Sequence, residues 1–173
     1  VFSLSTTNVV VDITGYFAPP GAGGLFFHPL PAPVRLLDTR AMQTACTTPG
    51  TPIGANTEVL QQGNAICGIP ATASALVGNA TTVSPQANGF LTLYPSNAQR
   101  PLIASANFQP GVNLNSPFMV GLSPSGEFNI YVASTTDLVV DVTGYYSTQL
   151  NDSNGQGLLF NALSGPVRLL DTR

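Results

Sequence analysis

The apolar positions of this chain fall in short runs cut apart by clusters of Gly, Pro, Ser and Asn. Residues 9–14 (VVVDIT) and 138–143 (LVVDVT) are dense in β-branched side chains and end at a Gly followed by aromatics. That pattern predicts strands covered on both faces and closed by a turn. Residues 75–83 (ALVGNATTV), 90–94 (FLTLY), 103–108, 117–122 and 127–132 predict further strands. The intervening segments 85–89, 95–101, 110–115 and 123–126 carry turn chemistry. Strands at such spacing favour an all-β antiparallel β-sandwich of Ig-like or Greek-key type over a parallel α/β sheet.

The end of the chain repeats its beginning. TTNVVVDITGY at residues 6–16 returns as TTDLVVDVTGY at residues 135–145, and VRLLDTR at 34–40 returns unchanged at 167–173. Asp12 thus corresponds to Asp141 and Arg35 to Arg168, so the second linker is four residues longer. A period this long is a whole domain per repeat, not a solenoid unit. The expected organisation is a closing strand of one repeat at 1–17, a linker at 18–23, a complete sandwich at 24–146, a linker at 147–157 and the opening of the next repeat at 158–173. APPGAGG should make the stiffer linker and STQLNDSNGQG the more flexible one. The two terminal segments lack the domains they should complete, which predicts that adjacent copies cover them, through a largely apolar interface near residues 19–24 and 147–157.

Composition narrows the class. Only 8% of residues are charged against 43% hydrophobic, too apolar for disorder. There is no lysine, and five arginines face eight acids for a net charge of −3, which argues against a nucleic-acid surface. No apolar run approaches the length of a membrane helix. Cys46 and Cys67 lie in a segment rich in turn formers, outside any CxxC pair and with His28 as the sole histidine, so a disulfide is favoured over a zinc or redox site. A disulfide points to an extracellular or cell-surface location.

The charges that stand out are Arg35, Asp38 and Arg40, their copies Arg168, Asp171 and Arg173, and the strand aspartates Asp12 and Asp141. They sit within the most apolar segments, where an ionised side chain needs a partner. Structural Asp–Arg bridges between opening and closing strands are expected, with Asp141 substantially buried against Arg35 or Arg40. Calcium binding by Asp38 and Asp141 is the rival, weakened by the lack of an Asp/Asn-rich loop. His28 reads as a surface or junction polar residue rather than a catalytic base, since its counterpart is Asn161. Glu58 and Glu127 lie beside turns and read as solvent-facing. Asn79 and Asn151 head N-x-S/T sequons and are candidate glycosylation acceptors, Asn151 the more accessible because it lies in the linker.

The succession PVRLLDTR, CGIPATASALVGNATTVSPQANGFLTLYP, SANFQPGVNLNSPFMVGLSPSGEFNIYV and TTDLVVDVTGYY resembles a repeat of large secreted and surface-anchored bacterial proteins. The resemblance covers nearly the whole chain and implies an extracellular all-β unit, arranged in tandem, with no catalytic motif or cofactor to carry over. The expected function is therefore a non-enzymatic structural repeat that associates with copies of itself into a stalk, filament or surface array. The alternative is a carbohydrate-binding or adhesion module attached to a secreted enzyme, with surface glycans as partners. Against that alternative, Trp is absent, and the five Tyr and nine Phe fall largely in strand or junction positions instead of an exposed row.

Overall fold

The computed structural model describes residues 24–158, and among them there are ten strands and no helix. Eight strands form two four-stranded antiparallel sheets. The first holds β1 (Phe26–Asp38), β8 (Asp137–Ser147), β3 (Ala73–Val83) and β6 (Leu114–Gly121) in that order. The second holds β2 (Thr57–Gln62), β7 (Glu127–Val132), β4 (Gly89–Pro95) and β5 (Ala106–Phe108). All pairings within them are antiparallel.

The chain is an all-β antiparallel sandwich. Its strand order, 1-8-3-6 facing 2-7-4-5, is that of the eight-stranded jelly roll, in which the chain wraps as paired ribbons that cross between the sheets. Within the Greek-key class this differs from an immunoglobulin domain, whose seven strands divide four and three.

Period-two alternation builds the core. Leu76, Ala80, Phe118, Val120, Val140 and Val142 point inward from the first sheet, and meet Leu91, Leu93, Phe128, Ile130 and Val132 from the second. β2 escapes sequence reading because its most buried position is Gln61 while Leu60 faces water, the reverse of the usual pattern. Gln61 is buried and donates to the Thr47 hydroxyl and the Gln62 carbonyl.

The centre of the first sheet is irregular at one place. Val77 and Gly78 of β3 are consecutive, yet pair with Gly144 and Val142, so Thr143 is an extra residue in β8. On the other side, Pro29 and Val34 pair with the same two residues, so β1 loops out over 30–33. Gly78 is required here: a Cβ would fall inside contact distance of the Asp141 carbonyl.

The edges of the first sheet are protected. Leu37 of β1 forms a parallel bridge to Thr47, and β6 carries Pro117, which offers no N–H to a further strand. Residues 147–157, expected as a flexible linker, instead carry a hairpin of β9 (Asn151–Asp152) and β10 (Gly155–Gln156). It is docked: the Tyr145 hydroxyl donates to Asp152 Oδ2 at 2.6 Å, Asn154 Nδ2 donates to that hydroxyl at 3.1 Å, and Gly157 is buried against Phe26 and His28. Leu158 then exchanges both backbone hydrogen bonds with Phe27. The segment read from its composition as the more flexible linker is instead held by the Tyr145 hydroxyl, which hydrogen-bonds to both Asp152 and Asn154.

Candidate functional site

The repeated motifs meet in space, because β1 carries VRLLD and β8 carries DLVVDVTGY as hydrogen-bonded neighbours. Arg35 and Asp141 are register partners. Arg35 donates from Nε to Asp141 Oδ1 at 2.9 Å and from Nη2 to Oδ2 at 3.2 Å, a two-point pairing. Its Nη1 reaches Asp38 Oδ2 at 3.3 Å. Arg40 completes the chain: its Nε and backbone N–H donate to Asp38 Oδ1, and its Nη2 to Oδ2 at 2.7 Å. The result is an alternating row, Arg40–Asp38–Arg35–Asp141. Thr39 extends it, donating to Asp137 Oδ1 and accepting from the Leu138 N–H.

Burial is distributed differently from the sequence expectation. The Asp38 side chain is fully buried, whereas that of Asp141 is 30% exposed. Position explains this: Asp38 lies beneath both guanidinium groups at the edge of β1, while Asp141 lies on the open outer face. The Arg40 hydrogen bond holds the Asp38 carboxyl below its ordinary value, and the same bond holds Arg40 above its own. Arg35 is raised chiefly by its hydrogen bond to Asp141. Asp38 and Asp141 therefore both face arginine, an arrangement for ion pairing rather than for calcium.

Around Arg35 and Asp141 lies an open depression of about 460 Å³, lined also by Pro33, Thr44, Asn79 and Thr143. Pro33 and Thr143 come from the two bulges, and Asn79 is the register partner of Asp141 on β3. Sequence reasoning singled out Asn79 only for its sequon. That the bulges gather these groups had no local signal beyond the Pro-rich run at 29–33 and the glycines.

The other candidates are dispersed. Cys46 and Cys67 form a disulfide with Cα atoms 6.1 Å apart, tying the segment beside β1 to the loop before β3. Asn151 is exposed at the start of β9, and Asn79 is half-buried in β3. Glu58 lies level with Tyr131 at one end of β2, and Glu127 level with Gln62 at the other, so they do not form a catalytic pair. Glu58 accepts from the Tyr94 hydroxyl and from Asn129 Nδ2; Glu127 accepts from Ser125. With Arg100 stacked 3.7 Å over the Tyr131 ring, these make a polar and aromatic layer that the sequence did not reveal.

His28 is not a surface residue. It is fully buried, stacked on Tyr145 with ring centroids 5.1 Å apart, its Nε2 2.9 Å from the Gln149 carbonyl and its Nδ1 3.5 Å from Asp152. Burial and then the Asp152 contact push the Tyr145 hydroxyl up to about 12. Asp12, Arg168 and Asp171 lie outside the described residues. Among the described residues no group of three or more His, Cys, Asp or Glu side chains is placed to hold a metal ion, and no helix is long and apolar enough to cross a membrane. No protein-family model, no curated protein and no solved structure matches this chain.

Proposed function

We propose that this chain is an extracellular structural repeat that associates head to tail with further copies of itself into a surface array or filament. The observation that carries the reading is the β1·β8 pair. The two segments that recur along the sequence are the two that clasp one unit shut, so each repeat is a self-closed module. Phe27 and Leu158 exchange backbone hydrogen bonds, so the chain enters and leaves the unit side by side. This geometry supports units projecting from a common spine over units joined end to end in a straight stalk. The disulfide is weakly consistent with the extracellular location.

Electron microscopy of the native material tests the proposal. A periodic array or filament is the expected result, and dispersed monomers would refute it. A second reading, a carbohydrate-binding or adhesion module attached to a secreted enzyme, draws its support from the polar depression at Arg35 and Asp141.

A further inference from the structure

We propose that the depression between Pro33, Arg35, Thr44, Asn79, Asp141 and Thr143 is a binding site for a neutral carbohydrate, recognised through its vicinal hydroxyl groups. The first support is unused hydrogen-bonding capacity. Arg35 spends three of its five N–H groups on Asp38 and Asp141, which leaves two. Each Asp141 oxygen accepts one intramolecular bond and keeps a lone pair. Among the described residues the Asn79 amide and the Thr44 hydroxyl make no side-chain hydrogen bond, although both line the depression. Paired donors and acceptors a few ångströms apart are what adjacent sugar hydroxyls need, since each hydroxyl both donates and accepts.

The second support is charge. In the row Arg40–Asp38–Arg35–Asp141 two cations balance two anions, so the depression offers polarity without net charge. An anionic ligand on the free Arg35 N–H groups would be repelled by the adjoining Asp141 carboxylate, and a cationic one on Asp141 by Arg35. A neutral polyhydroxylated ring takes the remaining bonds and leaves the ion pairs intact. Buried Asp38 also anchors Arg35, so little side-chain entropy is lost on binding.

The third support is the backbone. The depression exists because Thr143 is an extra residue in β8 and 30–33 loops out of β1 opposite it. Bulges of this kind re-aim side chains and gather beside binding sites. Core packing does not require the outward-facing Pro33, Arg35, Asp141 and Thr143, yet all four recur in the other partial copies as Pro166, Arg168, Asp12 and Thr14. Without an aromatic platform a single site should be weak, with Kd on the order of 1 mM. If the array reading also holds, tandem copies raise the avidity; the site itself does not depend on that reading.

The test is an NMR titration of the full 173-residue chain with maltotriose, cellotriose and chitotriose, following the Asn79 side-chain amide and Arg35 Nε–H signals. Saturable shifts with at least one of the three are expected, weakened roughly tenfold by Asn79→Ala or Thr44→Ala, each of which removes hydrogen bonds to the ligand. Leu60→Ser, on the outer face of the other sheet, should leave them unchanged. Three outcomes would overturn the proposal: no saturable shift with any of the three sugars, shifts that survive both alanine variants, or tighter binding of an anionic trisaccharide such as trigalacturonate. Array formation is read separately by microscopy, so failure of one reading does not imply failure of the other.

Discussion

Replacing Asp38 by Asn keeps the side-chain volume but removes the charge on which the β1 edge is organised. The carboxylate is fully buried and accepts four hydrogen bonds, three from Arg40 and one from Arg35. Breaking a buried ion pair usually costs about 3–5 kcal/mol, because the surviving partner is left uncompensated. Here the survivors are arginines whose side chains are 39% and 35% exposed, and they regain water when released. That reduces the expected cost to about 2–3 kcal/mol. Asp141→Asn removes a pair exposed on both sides and should cost no more than about 1 kcal/mol. Equilibrium denaturant unfolding of the two variants, with the disulfide intact, reads the difference directly. Acid supplies a second readout. The folded Asp38 carboxyl sits below its ordinary value of 3.8, so its contribution is present above that pH and is lost as pH falls through the folded value. Wild-type stability should therefore drop below about pH 4 more steeply than that of Asp38→Asn. Equal costs for the two variants, or parallel acid limbs, would refute the assignment of Asp38 as the anchor.

Three further outcomes are expected. Replacing Cys46 and Cys67 by Ser should cost about 3 kcal/mol, the chain-entropy value for a loop of this size, seen as a lower unfolding midpoint; an unchanged midpoint would show that the surrounding turns hold the segment unaided. Because the Tyr145 hydroxyl is pushed up to about 12, the folded state holds its proton more tightly than the unfolded state, and the hairpin should lose stability as pH rises from about 10 to 12. Hydrogen exchange at Leu158 in a Tyr145→Phe variant checks the contact: exchange should quicken there while Ile130 in the second sheet stays protected. Gly78→Ala should destabilise by about 3 kcal/mol, since the added methyl meets Asp141 backbone that β8 cannot withdraw, and normal thermal unfolding of this variant would refute the close approach.

Strands β3, β4, β6, β7 and β8 were legible because alternation or continuous β-branched runs are properties of consecutive residues, and the turns between them carry Gly, Pro and Asn. β2 was not, since its Gln61 faces inward and its Leu60 outward, and only the neighbouring β7 and the Thr47 hydroxyl make that orientation favourable. The hairpin at 151–156 was read as linker because Asn, Asp, Ser and Gly describe a docked turn and a free one equally well. Its hydrogen-bond partner Tyr145 and the His28 ring beside Asp152 lie on other strands.

The sequence by itself determined the antiparallel all-β class, the repeated brackets and the need of their aspartates for arginine partners, all of which follow from local pattern and composition. Tertiary structure decided the rest. The jelly-roll order arises from pairings between strands distant in the chain, Arg35 with Asp141 being 106 apart. It also decided which aspartate is buried: Asp38 and Asp141 read alike along the chain, and they differ only because one lies under two guanidinium groups at an edge and the other faces an open depression between two bulges. Burial and bulge register are properties of neighbours supplied by distant strands, so no window along the chain contains them.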